Sequence, residues 1–380
     1  MDPFYFRKVT LLIMLLFLLQ FTGCSKYLAE KVVKAPNFGK TADELGELSE
    51  EQMAYRQFDS QGRITIGSPE ISMHYVVIEP RNEWAAAKGT AIHDKLSMEF
   101  DLHNSGIPSQ EWAEIPEIMY LDQYPDKGDF NNMGLKFTAE RQTPPRSGPR
   151  FKGTVVFLHG LGVDKMFYAS SWAQLMASHG YRCILPDLRG HGRTTGDYVT
   201  YGRREAEDVS RLLDRLWGPL PVERPVILFG TSLGGSTAIQ TAAKDSRVDA
   251  VIALEPFSSL LETAYDFARL EHPVISMFTS RKIIEKAVED GGKIAGFDAR
   301  RDTALDAAGG LETPLLVIHG SDDRHVTAEH SFRLHEAAAN STLIIKEGKH
   351  HMNLGCNDIY DLRDKIFDWL EKSLYNHFPR

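Results

Sequence analysis

The sequence predicts one α/β domain: a mostly parallel central sheet with helices on both faces and an inserted helical lid. Three observations carry that prediction. From Gly153 onward, short apolar runs alternate with helical segments, the beat that parallel strands and their crossover helices produce. Runs such as Val226-Ile227-Leu228-Phe229 are continuously apolar rather than alternating, as suits strands covered on both faces. This run stops at Gly230-Thr231-Ser232-Leu233-Gly234-Gly235 and gives way directly to a helical segment, Ser236–Lys244. So abrupt a turn needs Gly230 and Gly234, which lack the Cβ atoms that would clash, and it leaves Ser232 at the tip.

In chain order, the N-terminus reads as a targeting segment. Arg7 and Lys8 precede the apolar run Leu11–Leu19, which is shorter than the about 20 residues a bilayer-spanning helix needs. Phe21-Thr22-Gly23-Cys24-Ser25 resembles a bacterial lipoprotein cleavage box, with Phe21 where Leu is usual. On that resemblance residues 1–23 are a signal peptide and Cys24 is the acylated first residue of an exported, membrane-held protein. Ser25 after the cysteine resembles lipoproteins sent to the outer membrane rather than those retained at the inner one. The alternative is an uncleaved membrane anchor.

Residues 24–63 are rich in Glu with no strong apolar period and read as a tether, carrying one helix around Ala42–Phe58. Ile64, Ile66 and residues 71–78 suit strands, as does Gly134–Ala139. Between them, residues 81–130 form an insert without a clear period, and Thr143–Pro149, with three prolines, forms a turn. The regular beat follows: strand 153–158, helix 168–178, strand 182–185, helix 205–217, strand 226–229, helix 236–244, strand 248–254. Residues 256–312 interrupt it and read as a lid. It resumes with strand 315–318, a helix near 328–338, strand 342–345 and a closing helix 359–374.

Composition narrows the function. The 380 residues, 42% hydrophobic, suffice for a large core, and a net charge of −9 without any basic tract argues against a nucleic-acid binder. Setting Cys24 aside, Cys183 and Cys356 are too few for a disulfide framework and are not spaced as metal pairs; whether they pair with each other stays open.

A doubly wound sheet binds ligands at the carboxyl ends of its strands. Standing there in turn are His159-Gly160-Leu161-Gly162, then Asp187-Leu188-Arg189-Gly190-His191-Gly192, the Ser232 turn, Glu255-Pro256, Gly320-Ser321-Asp322-Asp323, and Gly348-Lys349-His350-His351. A nucleophile, an acid and a histidine thus follow in the order Ser, Asp, His. A serine hydroxyl is a poor nucleophile until an imidazole takes its proton, and the imidazole needs a carboxylate to fix its tautomer.

These motifs, in this order over roughly residues 64–380, resemble the α/β-hydrolase superfamily. The resemblance implies Ser232 as nucleophile, His351 as base and Asp323 as the orienting acid. It prefers Asp323 over Asp322 from the spacing to Gly320 and Val326. It prefers His351 over His350 from the ending His351-Met352-Asn353-Leu354. The backbone N–H groups of Leu161 and Leu233 are the natural oxyanion donors. His159, Arg189 and His191 read as loop supports, and Glu255 as a buried or pocket-lining carboxylate. His319, Asp322, His325, His330 and His335 match no metal-ligand spacing, so neither metal nor cofactor is implied. Phe257, Tyr265, Phe267 and Phe278 either line an acyl pocket or pack the lid onto the core.

The expected protein is an exported lipoprotein with a serine hydrolase body acting on a small acyl substrate, most simply as a carboxylesterase. Its rivals are an acyltransferase or peptidase on the same triad, and a catalytically silent envelope binding protein.

Overall fold

The computed structural model describes residues 26–80, 96–101, 119–123, 134–139, 151–169, 171–217, 222–271, 279–351, 353–356 and 359–375. The expected signal peptide and Cys24 lie outside the described residues, as do the turn 143–149 and Phe278.

Eleven strands are described: β1 Ser60–Gly67, β2 Glu70–Ile78, β3 Leu96–Asp101, β4 Met119–Gln123, β5 Gly134–Ala139, β6 Gly153–Leu158, β7 Tyr181–Pro186, β8 Val226–Thr231, β9 Val248–Leu254, β10 Leu315–Gly320 and β11 Ser341–Lys346. Eight of them form one sheet in the order β1-β2-β7-β6-β8-β9-β10-β11. The β1–β2 and β2–β7 pairs are antiparallel, and the others are parallel. Every residue of β6, β8 and β10 is buried, which accounts for their unbroken apolar runs. One core cluster, with Val156, Leu228 and Val317, lies on one side of these strands. The other, with Phe157, Phe229 and Ile318, lies on the opposite side, as alternate residues of a strand must.

The region read as an insert contains a small antiparallel sheet of order β3-β5-β4. Gly134–Ala139 is its middle strand, so the inserted unit extends past residue 130 and this strand does not join the main sheet. The lid region holds the helices Leu260–Glu271, Arg281–Ala295 and Ala304–Ala308 between β9 and β10.

Residues 26–63 are not a loose tether. Residues 26–33 form a helix whose Ala29 and Val33 are wholly buried, and Leu48 and Phe58 are buried further on. The single helix expected around Ala42–Phe58 is two short ones, Ala42–Leu45 and Glu50–Tyr55. Each begins with a capping box, Thr41 with Glu44 and Ser49 with Gln52, and Gly46 at φ 60 ends the first. β1 already begins at Ser60, and Arg63 fastens the segment by donating to the Gly46 carbonyl at 2.7 Å. The buried apolar residues, Ala29, Val33, Ala35, Leu48 and Phe58, are scattered along the segment, which is why it shows no period.

Candidate active site

Ser232 stands between β8 and the helix Leu233–Ala242 with φ 51 and ψ −113, a left-handed region that a side chain enters only under constraint. The constraints are visible. Its N–H donates to the Leu254 carbonyl at 2.8 Å, extending the β8–β9 ladder by one residue, and its carbonyl accepts from Ser236 N–H at 3.0 Å. Just before it, the Thr231 hydroxyl pairs with the Tyr168 hydroxyl at 2.6 Å. A Cβ on Gly234 would lie 1.8 Å from the Leu158 carbonyl oxygen, and one on Gly230 would lie 2.2 Å from the Gly234 carbonyl oxygen. Only glycines let the helix start this close to β6 and β8.

Gly160, after β6, runs beside the serine: a Cβ there would be 3.8 Å from Ser232 Cβ. His159 holds this loop, its Nδ1 donating to the Gly160 carbonyl at 2.8 Å and its Nε2 accepting from Leu188 N–H at 2.9 Å. Leu161 is 41% exposed, whereas Leu233 is buried at the first position of its helix, where no acceptor one turn earlier exists for its N–H.

Asp323 and His351 come together from the ends of β10 and β11. Asp323 Oδ1 accepts from the N–H groups of His325 and Val326, both at 2.9 Å, and its Oδ2 lies 2.6 Å from His351 Nδ1. His319 Nε2 is 3.2 Å from the same Oδ2. Asp322 and His350 engage each other's neighbourhood instead: His350 Nδ1 lies 3.0 Å from the Asp322 carbonyl oxygen, on the exposed side. Burial alone would raise Asp323, but the charge of His351 and the hydrogen bonds from His319 and His351 outweigh it and hold the carboxyl well below the usual carboxylate range. For His351, burial favours the neutral ring, yet Asp323 and then Glu255 reverse this and lift it to about 9.

Glu255 enters the site more closely than a general pocket-lining role suggests. It is wholly buried at the end of β9 with φ 50, its N–H donates to the Ile318 carbonyl at 2.8 Å, and its Oε2 lies 4.0 Å from His351 Nδ1. Glu255, Asp323 and His351 offer ligand-type atoms within 4.8 Å of one another, so among the described residues they are a set that could converge on an ion. Other histidines have local duties: His330 Nδ1 is 2.8 Å from the Ser258 hydroxyl and His335 Nδ1 is 2.7 Å from that of Ser341.

The Asp187–Gly192 loop is structural. Asp187 pairs with buried Lys165 and accepts from Arg193 N–H at 2.7 Å. Arg189 pairs with Asp208 through two bonds at 2.8 and 2.9 Å, and His191 Nδ1 donates to the Arg189 carbonyl at 2.9 Å. Beside the Leu161 loop lies a cavity of about 340 Å³ lined by Gly162, Val163, Asp164, Phe167 and His191. Of the lid aromatics, Phe257 packs into the core, whereas Phe267 is 39% exposed and its ring stands 5.9 Å from that of His325.

An eight-stranded, mostly parallel sheet with a strained serine at its central strand-to-helix turn and an acid–histidine pair at later strand ends is the architecture of a hydrolase. The chain belongs to the alpha/beta hydrolase family, whose profile matches residues 155–358. It is 23% identical over 212 residues to an uncharacterised protein of Bacillus subtilis, covering 53% of this chain and 65% of that one. It is 29% identical over 136 residues to protein phosphatase methylesterase 1 of Mus musculus, covering 35% of this chain and 33% of the relative. The chain therefore spans less than two thirds of these relatives. An esterase from Pyrococcus furiosus superimposes with a TM-score of 0.53 at 16% identity, over 90% of this chain and 99% of that one, a likeness of fold.

Proposed function

We propose that the protein is a serine hydrolase that cleaves carboxylic esters through an acyl-enzyme, and that it is an exported lipoprotein acylated at Cys24. The observation that carries the reading is the buried Asp323–His351 pair, 2.6 Å apart, at strand ends of the same sheet whose central strand presents Ser232 on a strained turn.

Ser232 Oγ attacks the ester carbonyl while His351 Nε2 takes its proton. Asp323, bonded at Nδ1, fixes that tautomer and stabilises the imidazolium. The oxyanion meets the N–H groups of Leu161 and Leu233. Protonated His351 then gives its proton to the departing alkoxide, and water, deprotonated by the same imidazole, releases the acid and restores Ser232. The esterase and methylesterase names among the similar proteins favour an ester over an amide.

Labelling with a fluorophosphonate probe tests the reading. The wild-type chain is expected to label and to turn over acyl esters, and Ser232→Ala to do neither. A folded wild-type chain that resists the probe and leaves every ester intact would sink it.

A further inference from the structure

The first helix and the turn after it present a surface that neither the core nor the proposed chemistry uses. Residues 26–40 carry four lysines and one glutamate in a chain whose net charge is −9. The helix 26–33 splits into two faces. Ala29 and Val33 point into the body, where the helix meets Arg281–Ala295 so closely that a Cβ on Gly291 would be 2.8 Å from the Ala29 carbonyl oxygen. Lys26, Tyr27, Glu30, Lys31 and Lys34 are exposed. Tyr27 is 58% and Phe38 43% exposed, and lysines lie over both rings: Lys31 Nζ is 5.6 Å from the Tyr27 centroid and Lys34 Nζ is 4.6 Å from that of Phe38. Exposed aromatics interleaved with lysines suit a protein surface resting on a membrane interface, rings at headgroup level and ammonium groups among anionic phosphates.

The segment is also fixed to the body. Ala35 N–H donates to the Asp197 carbonyl and Val199 N–H to the Val33 carbonyl, both at 2.9 Å. Asn37 Nδ2 donates to the carbonyls of Gly192 and Thr194, each at 2.9 Å. Those partners follow the carboxyl end of β7, the edge of the sheet that also carries Ser232. The apolar run Leu11–Leu19 and Cys24 come just before this helix. Two residues of chain reach only about 7 Å, so an anchor at Cys24 leaves the body almost no slack.

We infer that residues 26–40 form a docking face for an anionic lipid bilayer, which holds the Ser232 edge of the sheet against the membrane and selects acyl esters carried in the bilayer as substrates. The inference rests on the membrane-held, ester-cleaving reading above.

The full chain, with Cys356→Ser to limit labelling, is reconstituted into phosphatidylglycerol–phosphatidylcholine vesicles with a nitroxide at Phe38→Cys or, as a control, at exposed Glu312→Cys just before the opposite end of β10. Turnover of a water-soluble ester verifies folding. The label at 38 is expected to be open to oxygen and shielded from an aqueous nickel chelate, and the label at 312 the reverse. A chain that sediments with vesicles while both labels meet the chelate overturns the docking face alone. A chain that stays in the supernatant overturns the membrane-held reading and the face with it. Inserting about twelve Gly and Ser residues between Ser25 and Lys26 restores slack. It is expected to lower turnover of a vesicle-borne ester several-fold and leave that of the soluble ester unchanged. Equal turnover of both overturns the substrate assignment, and loss of soluble-ester turnover from the unmodified chain overturns the hydrolase reading instead.

Discussion

His351 Nδ1 lies 2.6 Å from Asp323 Oδ2, although 28 residues separate the two in the chain. With Nδ1 committed to a carboxylate, Nε2 is the nitrogen left free for the proton transfer in the proposed reaction, where this one bond would set the tautomer.

The pH dependence of activity follows from it. His351 is held up to about 9, and its cationic form cannot accept a proton, so below that pH the active fraction grows as pH rises. The kcat/KM for a neutral ester should climb toward about pH 9 rather than level off near the ordinary histidine value of about 6.5. In Asp323→Asn the ascending limb should move down in pH and kcat should fall by about 10⁴. An unchanged limb in that variant contradicts the assignment of Asp323.

Glu255 gives a subtler signature. Its Oε2 is 4.0 Å from His351 Nδ1 and it supports the imidazolium through space. Glu255→Gln, similar in size but uncharged, should shift the ascending limb down by less than Asp323→Asn does, and lower the alkaline plateau. A purely structural Glu255 would lower stability and leave the limb in place.

The role given to Leu161 belongs to its backbone. Its side chain is 41% exposed, so Leu161→Ala should retain most activity. Leu161→Pro, which removes the N–H, should lose about 10²–10³ in kcat. Comparable KM values and matching thermal midpoints for the two variants would separate loss of a donor from loss of structure.

Two glycines separate contact from backbone strain. At Gly234 an added Cβ meets the Leu158 carbonyl at 1.8 Å, and β6 cannot yield because it is paired on both sides. Gly234→Ala should cost about 3 kcal/mol or more in urea unfolding. At Gly162 an added Cβ meets nothing within 4 Å, and only φ +76 opposes it, so Gly162→Ala should cost about 1–2 kcal/mol. Equal midpoint shifts would refute the crowding at the serine turn.

Much of the site was legible because it is local. Ser232 announces itself through the strand before it, the glycines around it and the helix after it. Asp323 and His351 could be picked from their neighbours through the spacing of a family resemblance. Glu255 was visible at a strand end but not beside His351, since its approach depends on pairings among β8, β9 and β10. Thr231 stands opposite Leu254, and Leu254 opposite Ile318. These registers bring residues 232, 255 and 319 to one edge, and no spacing within a single segment encodes them. The N-terminal segment misled for a related reason: its buried apolar residues, such as Ala29, Val33, Leu48 and Phe58, are widely spaced and show no period, because they are covered by segments far along the chain.

By itself the sequence determined the class of sheet, the succession of its strands and the chemical groups at their ends, because periodicity, glycine placement and residue type act over a few neighbouring residues. The tertiary structure alone decided that Glu255 faces the imidazole, that residues 26–40 are clamped to the body, and how far His351 is lifted. Those outcomes depend on distances between segments and on exclusion of water, which exist only once the strands have registered and the core has closed.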